Sequence, residues 1–176
     1  MSTIKWNLDP THSGIQFKVR HLMITNVSGS FTDFSVSAET DDDAFSNPVV
    51  HFTAQTASVN TQNEQRDGHL KGPDFFDVEK YPEIHFVSTG ATKDADGDIA
   101  LTGDLTIRDV TRPVTVKVEF AGVAKDPWGN TKAGFTVTGK IDRTAFGLNW
   151  NAALEAGGVL VGEEIRFSAE IQLVRA

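Results

Sequence analysis

Three stretches of this chain alternate apolar and polar residues with a period of two, and no other feature restricts its fold as strongly. In Val114-Thr115-Val116-Lys117-Val118-Glu119-Phe120 the even positions are apolar and the odd ones polar. The rhythm recurs in Phe135-Thr136-Val137-Thr138-Gly139-Lys140-Ile141 and in Ile165-Arg166-Phe167-Ser168-Ala169-Glu170-Ile171-Gln172-Leu173. Successive side chains of an extended backbone point to opposite faces, so each stretch has one dry face and one wet face, as antiparallel strands do. Parallel strands buried on both faces would read as unbroken apolar runs instead.

Turn chemistry divides the remainder. Asp94-Ala95-Asp96-Gly97-Asp98 separates strands expected near 83–92 and 99–108, and Asp126-Pro127-Trp128-Gly129-Asn130 marks another hairpin. Asp109-Val110-Thr111-Arg112-Pro113 leads into the strand at 114. Earlier strands are expected near 14–22, 26–38 and 48–60, with a short one at 4–8 and the last near 163–175. About eight long strands joined mostly up-and-down predict an all-β chain closed into an eight-stranded antiparallel barrel, because closure leaves no exposed edge. A two-sheet sandwich has the same periodicity and is the rival architecture. The 176 residues fit one domain over 1–176, large enough for a full core and a cavity.

One segment departs from the strand rhythm. Thr61-Gln62-Asn63-Glu64 reads as a capping box opening a short helix to about Leu70, stopped by Gly72-Pro73. Arg66, His69 and Leu70 share a face of that helix. Asp74-Phe75-Phe76-Asp77-Val78 then puts two adjacent rings in a connection, where water would not keep them. They are expected to pack at one end of the barrel.

Composition excludes several classes of chemistry. The absence of cysteine removes disulfides, thiolate nucleophiles and Cys-based zinc sites. Twenty-four acidic against 16 basic residues give a formal charge of −8, which argues against nucleic acid as a partner. The first residues, Met1-Ser2-Thr3-Ile4-Lys5-Trp6, lack an apolar core and a cleavage site. A cytoplasmic location is therefore expected, or a periplasmic one if this is the processed form of a longer precursor. The carboxylates Asp94, Asp96 and Asp98 fail the calcium-loop order, since Leu105 stands where a closing Glu belongs, so a hairpin turn is expected. His12, His21, His51, His69 and His85 show no ligand-motif spacing, and no nucleophile elbow, phosphate loop or dinucleotide fingerprint is present. No metal, cofactor or catalytic residue is expected.

Twelve Phe beside a single Tyr suggest an aromatic-lined apolar interior. An eight-stranded barrel is just wide enough either to fill itself or to hold one slender ligand. Phe17, Phe52, Phe86, Phe120, Phe135 and Phe167 therefore suit two interiors: a packed core, or the wall of a tube shaped for a linear hydrocarbon.

Several segments in one order resemble the YceI-like family of polyisoprenoid-binding, lipocalin-like proteins. They are Asp9-Pro10-Thr11-His12-Ser13-Gly14-Ile15-Gln16-Phe17, then Gly29-Ser30-Phe31-Thr32-Asp33-Phe34, and Arg66-Asp67-Gly68-His69-Leu70 running into Asp74-Phe75-Phe76-Asp77. Tyr81-Pro82-Glu83-Ile84-His85-Phe86, Gly103-Asp104-Leu105-Thr106-Ile107 with Val110-Thr111-Arg112-Pro113-Val114, Asp126-Pro127-Trp128-Gly129 and Arg143-Thr144-Ala145-Phe146-Gly147-Leu148 follow. The likeness covers about residues 5–174. It implies an extended lipocalin-like barrel, with the short helix at one end, around a channel holding a long isoprenoid such as a polyprenyl phosphate, a polyprenyl diphosphate or a quinone tail. The expected lining is Phe17, Val19, Phe34, Phe52, Ile84, Phe86, Ile107, Val116, Val118, Phe120, Phe135, Val137 and Phe167, with Leu70, Phe75 and Phe76 guarding an end. His12, Arg66 and His69 are the expected head-group contacts; the other reading of Arg66 and Asp67 is that they anchor the helix to the rim. The resemblance implies a non-catalytic store or carrier that meets a membrane or acceptor protein for delivery, and it allows a homodimer. Rival functions are an enzyme or stress-response factor acting on isoprenoid or quinone substrates, and a filled barrel that binds protein.

Overall fold

The computed structural model describes residues 3–154 and 158–176. Among the described residues eleven strands form one antiparallel sheet: β1 (Ile4–Leu8), β2 (Gly14–His21), β3 (Thr25–Phe31), β4 (Phe34–Thr40), β5 (Val49–Gln55), β6 (Val59–Asn60), β7 (Glu83–Lys93), β8 (Ile99–Ile107), β9 (Val110–Lys125), β10 (Thr131–Asp142) and β11 (Val161–Arg175). A ring runs β1-β4-β5-β7-β8-β9-β10-β11, and β11 pairs back onto β1 through Trp6 with Arg175 and Leu8 with Leu173. That closure makes the fold a barrel and removes the sandwich.

The excess over eight strands comes from interruptions. β1 and β2 are halves of one long strand, parted by a 3₁₀ turn at Pro10–His12, and both pair with β11. β3 and β4 likewise flank Thr32 and Asp33, and β5 and β6 flank a second turn at Thr56–Ser58. The expected strands at 26–38 and 48–60 are thus each split once.

Burial follows the alternation. Along β8 every second residue, from Ile99 to Ile107, is buried, while Ala100 and Asp104 face water. The two barrel ends differ. At one end, the loop after β4 folds inward and Phe45 packs on Trp6, Phe120 and Phe135 with ring centroids 4.7–5.3 Å apart. The Trp6 indole N–H donates to Thr40 Oγ1 at 3.0 Å, so its polar atom is satisfied in the dry interior. This end is a plug.

At the other end lie the β2–β3 and β8–β9 hairpins, the connection between β10 and β11, and α1 (Glu64–Lys71). The helix does not open with the expected capping box. Asn63 is the N-cap and its side-chain oxygen accepts from Arg66 N–H, because Gln62, with φ +62°, turns the chain between Thr61 and the helix. Thr61 serves a different contact, described below. Beyond β6 the sheet has an open edge, since β7 pairs only with β5 and β8. α1 and the segment carrying Phe75 and Phe76 stand at that end.

A blind apolar cavity with a polar rim

The barrel encloses a cavity of about 610 Å³, within the ordinary range for a small-molecule site. Its wall between the plug and the rim is hydrocarbon. All five of its Arg and His residues, Arg20, His21, Arg66, His69 and Arg143, stand at the end opposite Phe45. The cavity is therefore polarised: oily and blind at the bottom, cationic and hydrogen-bonding at the top.

Cross-strand glycines keep the interior from filling. Phe17 pairs with Gly29 and Phe167 with Gly139, and Phe86 lies over Gly103. A Cβ added at Gly29 or Gly139 would sit 2.4 Å from the ring Cζ of its phenylalanine, and one at Gly103 would sit 2.5 Å from Phe86 Cζ. No carbon pair tolerates that distance, so each ring occupies the space a side chain would take. The rings lie down on the wall, and the choice between packed core and tube goes to the tube.

The wall contains Phe17, Val19, Phe52, Ile84, Phe86, Ile107, Val116, Val118, Phe135, Val137 and Phe167, with Leu70, Phe75 and Phe76 toward the rim. Three expected contacts lie elsewhere. Phe120 has the inward parity but stacks on Phe135 at 5.2 Å as part of the plug. Phe34 starts β4 immediately after the strand break and borders a separate surface hollow with Pro10 and Ser13, its ring 6.2 Å from Phe52. His12 sits in the first 3₁₀ turn, where its exposed imidazole meets the Asp9 carboxylate at 2.8 Å. Asp9 is itself held by Lys132 and Thr11, and these hydrogen bonds keep its carboxyl well below the usual carboxylate range. His51 and His85 face outward from β5 and β7.

At the rim, Arg66 Nε donates to Thr61 Oγ1 and Arg66 Nη2 to Thr61 O, both at 2.8 Å. Asp67 Oδ1 accepts from Thr61 N–H at 2.9 Å and from its hydroxyl. One threonine thus ties the helix to the end of β6, which is the anchoring reading of the pair, while Arg66 also borders the cavity. His69 Nε2 meets Asp74 at 2.9 Å, and its ring stands edge-on to Phe75 and Trp150 at 5.1 and 4.6 Å.

Of the rim residues that sequence reasoning missed, Arg20, His21 and Arg143, Arg143 is the most enclosed. It is 2% exposed, yet among the described residues it forms no ion pair with a carboxylate. Its guanidinium donates instead to the carbonyls of Leu148, Trp150, Val161 and Gly162, folding the connection between β10 and β11 over the barrel mouth. All but one of its N–H groups are used in this way. Burial pushes its pKa down from the ordinary arginine value, but a guanidinium stays charged regardless. Phe31, Phe45 and Trp150 were missed as well. Phe45 and Trp150 are rings in connections, the same signal that singled out Phe75 and Phe76.

The acidic turns take no part in a site. Asp94 Oδ1 accepts from the N–H groups of Asp96 and Asp98, closing the hairpin on itself. Among the described residues, no three His, Asp or Glu side chains converge as a metal site would require.

Known proteins match this chain over nearly its whole length. The YceI-like domain family matches residues 6–173. UPF0312 proteins of Staphylococcus aureus strains USA300 and MSSA476 are each 40% identical over 168 residues, 95% of both chains. Among solved structures, the YceI protein of Campylobacter jejuni superposes with a TM-score of 0.75 at 33% identity, covering 90% of this chain and 91% of that one. BcnA of Burkholderia cenocepacia shares the fold, with a TM-score of 0.78 at 22% identity over 94% and 98% of the two chains. So does a polyisoprenoid binding domain from Saccharophagus degradans, with 0.71 at 13% identity over 97% and 98%.

Proposed function

Because this chain belongs to the YceI-like family, we propose that its barrel binds a long isoprenoid lipid without chemical change and serves to store or carry it. The observation that carries the proposal is the polarised cavity. A hydrocarbon tail fits the blind bore, and a polyprenyl phosphate, polyprenyl diphosphate or quinone head fits the rim beside Arg66, His69 and Arg143. The polyisoprenoid binding domain of Saccharophagus degradans, which shares the fold, supports the class of tail.

Burial contributes about 0.8 kcal/mol per methylene-sized group, so a tail of some tens of carbons has a large gross driving force. Ordering of the tail and desolvation of the head hold the net affinity far below that sum. The rim side chains are already engaged: His69 with Asp74, Arg66 with Thr61, and Arg143 with main-chain carbonyls. Such groups suit holding a head group better than moving a proton, which supports the non-catalytic reading.

Mass spectrometry of an organic extract of the purified protein tests the proposal. A long isoprenoid is expected from the wild type and not from Val137→Trp, which fills the bore. Lipid-free wild-type protein that also takes up no added polyprenyl phosphate would sink the reading. Conversion of polyprenyl diphosphate to a product would overturn its non-catalytic part.

A further inference from the structure

The β2–β3 hairpin ends in a turn whose residues contradict its backbone. Leu22 and Met23, its two central positions, both have positive φ, 54° and 62°, and Ile24 N–H donates to His21 O at 3.2 Å. Two consecutive positive φ values are the mark of the primed hairpin turn that selects Asn-Gly. Large side chains pay roughly 1–2 kcal/mol each to enter that region. Leu22, Met23 and Ile24 nonetheless keep 40%, 50% and 73% of their surface exposed. Backbone strain and exposed hydrocarbon thus coincide at one apex, a coincidence that motivates a functional hypothesis.

The apex stands beside the cavity rim. Arg20 and His21, which lead into it, border the cavity, and Leu22 N–H donates to Leu160 O at 2.8 Å. The Ala153–Val159 bridge lies beside it, where a Cβ built on Gly158 would meet Met23 Cγ at 3.4 Å. Below the apex, the outer face of the sheet aligns cations. The register sets Lys140 opposite Arg166 and Arg166 opposite Lys18, with Arg20 one step nearer the tip. Glu164 within this band is occupied by Lys140 at 3.6 Å and Arg166 at 3.2 Å. Among the described residues Asp142 and Glu163 are the other acids flanking this band in sequence, and neither Lys18 nor Arg20 forms an ion pair with a carboxylate there.

We infer that the β2–β3 tip is a membrane foot: Leu22, Met23 and Ile24 insert among the acyl chains of an anionic bilayer, while Lys18, Arg20, Lys140 and Arg166 meet its phosphates. The charge complementarity favours an anionic lipid surface over an apolar protein groove. At physiological salt the potential decays over about 8 Å, so the unpaired Lys18 and Arg20 act on a surface next to them while acids elsewhere on the chain are screened. Seated this way, the barrel turns its rim to the bilayer and its plug to water. Passage of cargo between bilayer and bore rests on the proposed lipid ligand, but docking by the foot does not.

Flotation with vesicles of equal parts phosphatidylglycerol and phosphatidylcholine, beside pure phosphatidylcholine, tests the foot. Uptake of the apolar dye N-phenyl-1-naphthylamine reports the cavity in the same samples. The wild type is expected to float with the anionic vesicles. Met23→Asp with Ile24→Asp should lower that partitioning about ten-fold or more with dye uptake retained, since neither residue lines the cavity. Lys18→Gln with Lys140→Gln, neither of which borders the cavity, should lower it about 25-fold, about five-fold per cation, and high salt should do the same. If the double-aspartate variant loses dye uptake too, Ile24→Ser, a change of one exposed side chain, is judged by the same two readouts. Wild-type protein that does not float, tip variants that float unchanged, or binding abolished by Trp128→Asp at the opposite end would each overturn the foot. Self-association that the tip variants remove, without vesicle binding, would overturn it in favour of a second copy of this chain. Docking without dye uptake would sink the cargo reading and leave the foot standing.

Discussion

Gly139→Ala separates a cavity whose width is set by glycine from one set by loose packing. The new Cβ would lie 2.4 Å from Phe167 Cζ and 2.9 Å from Cε2, about 1.1 Å and 0.6 Å inside the shortest ordinary carbon contact of roughly 3.5 Å. The backbone is poorly placed to yield, because β10 and β11 pair without a register shift from Lys132 to Asp142. The ring, which borders open space, is free to yield, so it swings into the bore. Its off-rotamer strain costs roughly 0.5–1.5 kcal/mol. Loss of glycine's freedom in the unfolded chain returns about 0.4–1 kcal/mol, leaving stability within about 1 kcal/mol of wild type. Binding suffers more: displacing two or three tail methylenes forfeits about 1.6–2.4 kcal/mol of burial, about 15- to 60-fold in affinity. Urea unfolding and titration with a fluorescent polyprenyl probe measure the two quantities, with Gly90→Ala, where nothing lies within 4 Å, as the control. Unchanged probe affinity together with a stability loss above about 3 kcal/mol would refute the reasoning, because the ring would then be wedged in the wall.

Other consequences follow from contacts at the rim, the first turn and the helix. Arg143→Leu should cost about 3–5 kcal/mol in urea unfolding, since it strands buried carbonyls, and Arg143→Lys should restore little of it without the planar fork. Asp9, whose pKa is depressed in the fold, contributes stability that is complete above its unfolded pKa of about 4 and is lost as pH falls toward the folded value. Asp9→Asn should therefore lower stability by about 1–3 kcal/mol at pH 7, a deficit that urea melts should show shrinking below about pH 4. Gly68→Ala, in the middle of α1 with nothing within 4 Å of the new methyl, should raise stability by about 0.5–1 kcal/mol; a loss would show that the helix needs glycine there.

The barrel was legible because alternation is a local signal and β8 to β11 obey it almost without exception. The interior was less so. Residues 135, 137, 139 and 141 share the inward face, and the glycine among them announces a missing side chain. What fills the gap is Phe167, a partner 28 positions away that only the strand register identifies. Phe120 was misplaced because parity gives a residue's face and not its depth, and its depth is set by Phe45, which reaches in from a loop. Arg143 left no trace because its partners are main-chain carbonyls, which every residue carries. Thr61 was taken for a helix cap because Thr and Asn are comparable caps; the left-handed Gln62 decides for Asn63.

The two halves of the barrel are built differently, and on the proposed lipid-binding reading this difference sets where a tail would enter. Near the plug, β1, β4, β5 and β7 to β11 close a continuous hydrogen-bonded ring, so opening there would break ladder bonds on both sides of a strand. Toward the rim, the interruptions in the first three long strands leave β6 only two residues long, with no pairing to β7. Beside that open edge stands α1, whose side chains contact the strand end through the Thr61, Arg66 and Asp67 knot. None of the helix's residues is fully buried, and a segment with few buried apolar contacts opens at much lower free energy than a sheet. Side chains rather than strand pairing hold this element, so it can yield without disturbing the ring beneath it. A tail wider than the resting rim would therefore pass where Leu70, Phe75 and Phe76 stand. The strained tip of Leu22 and Met23 belongs to the same end, which leaves the plug half as the rigid floor on which a bound tail would end.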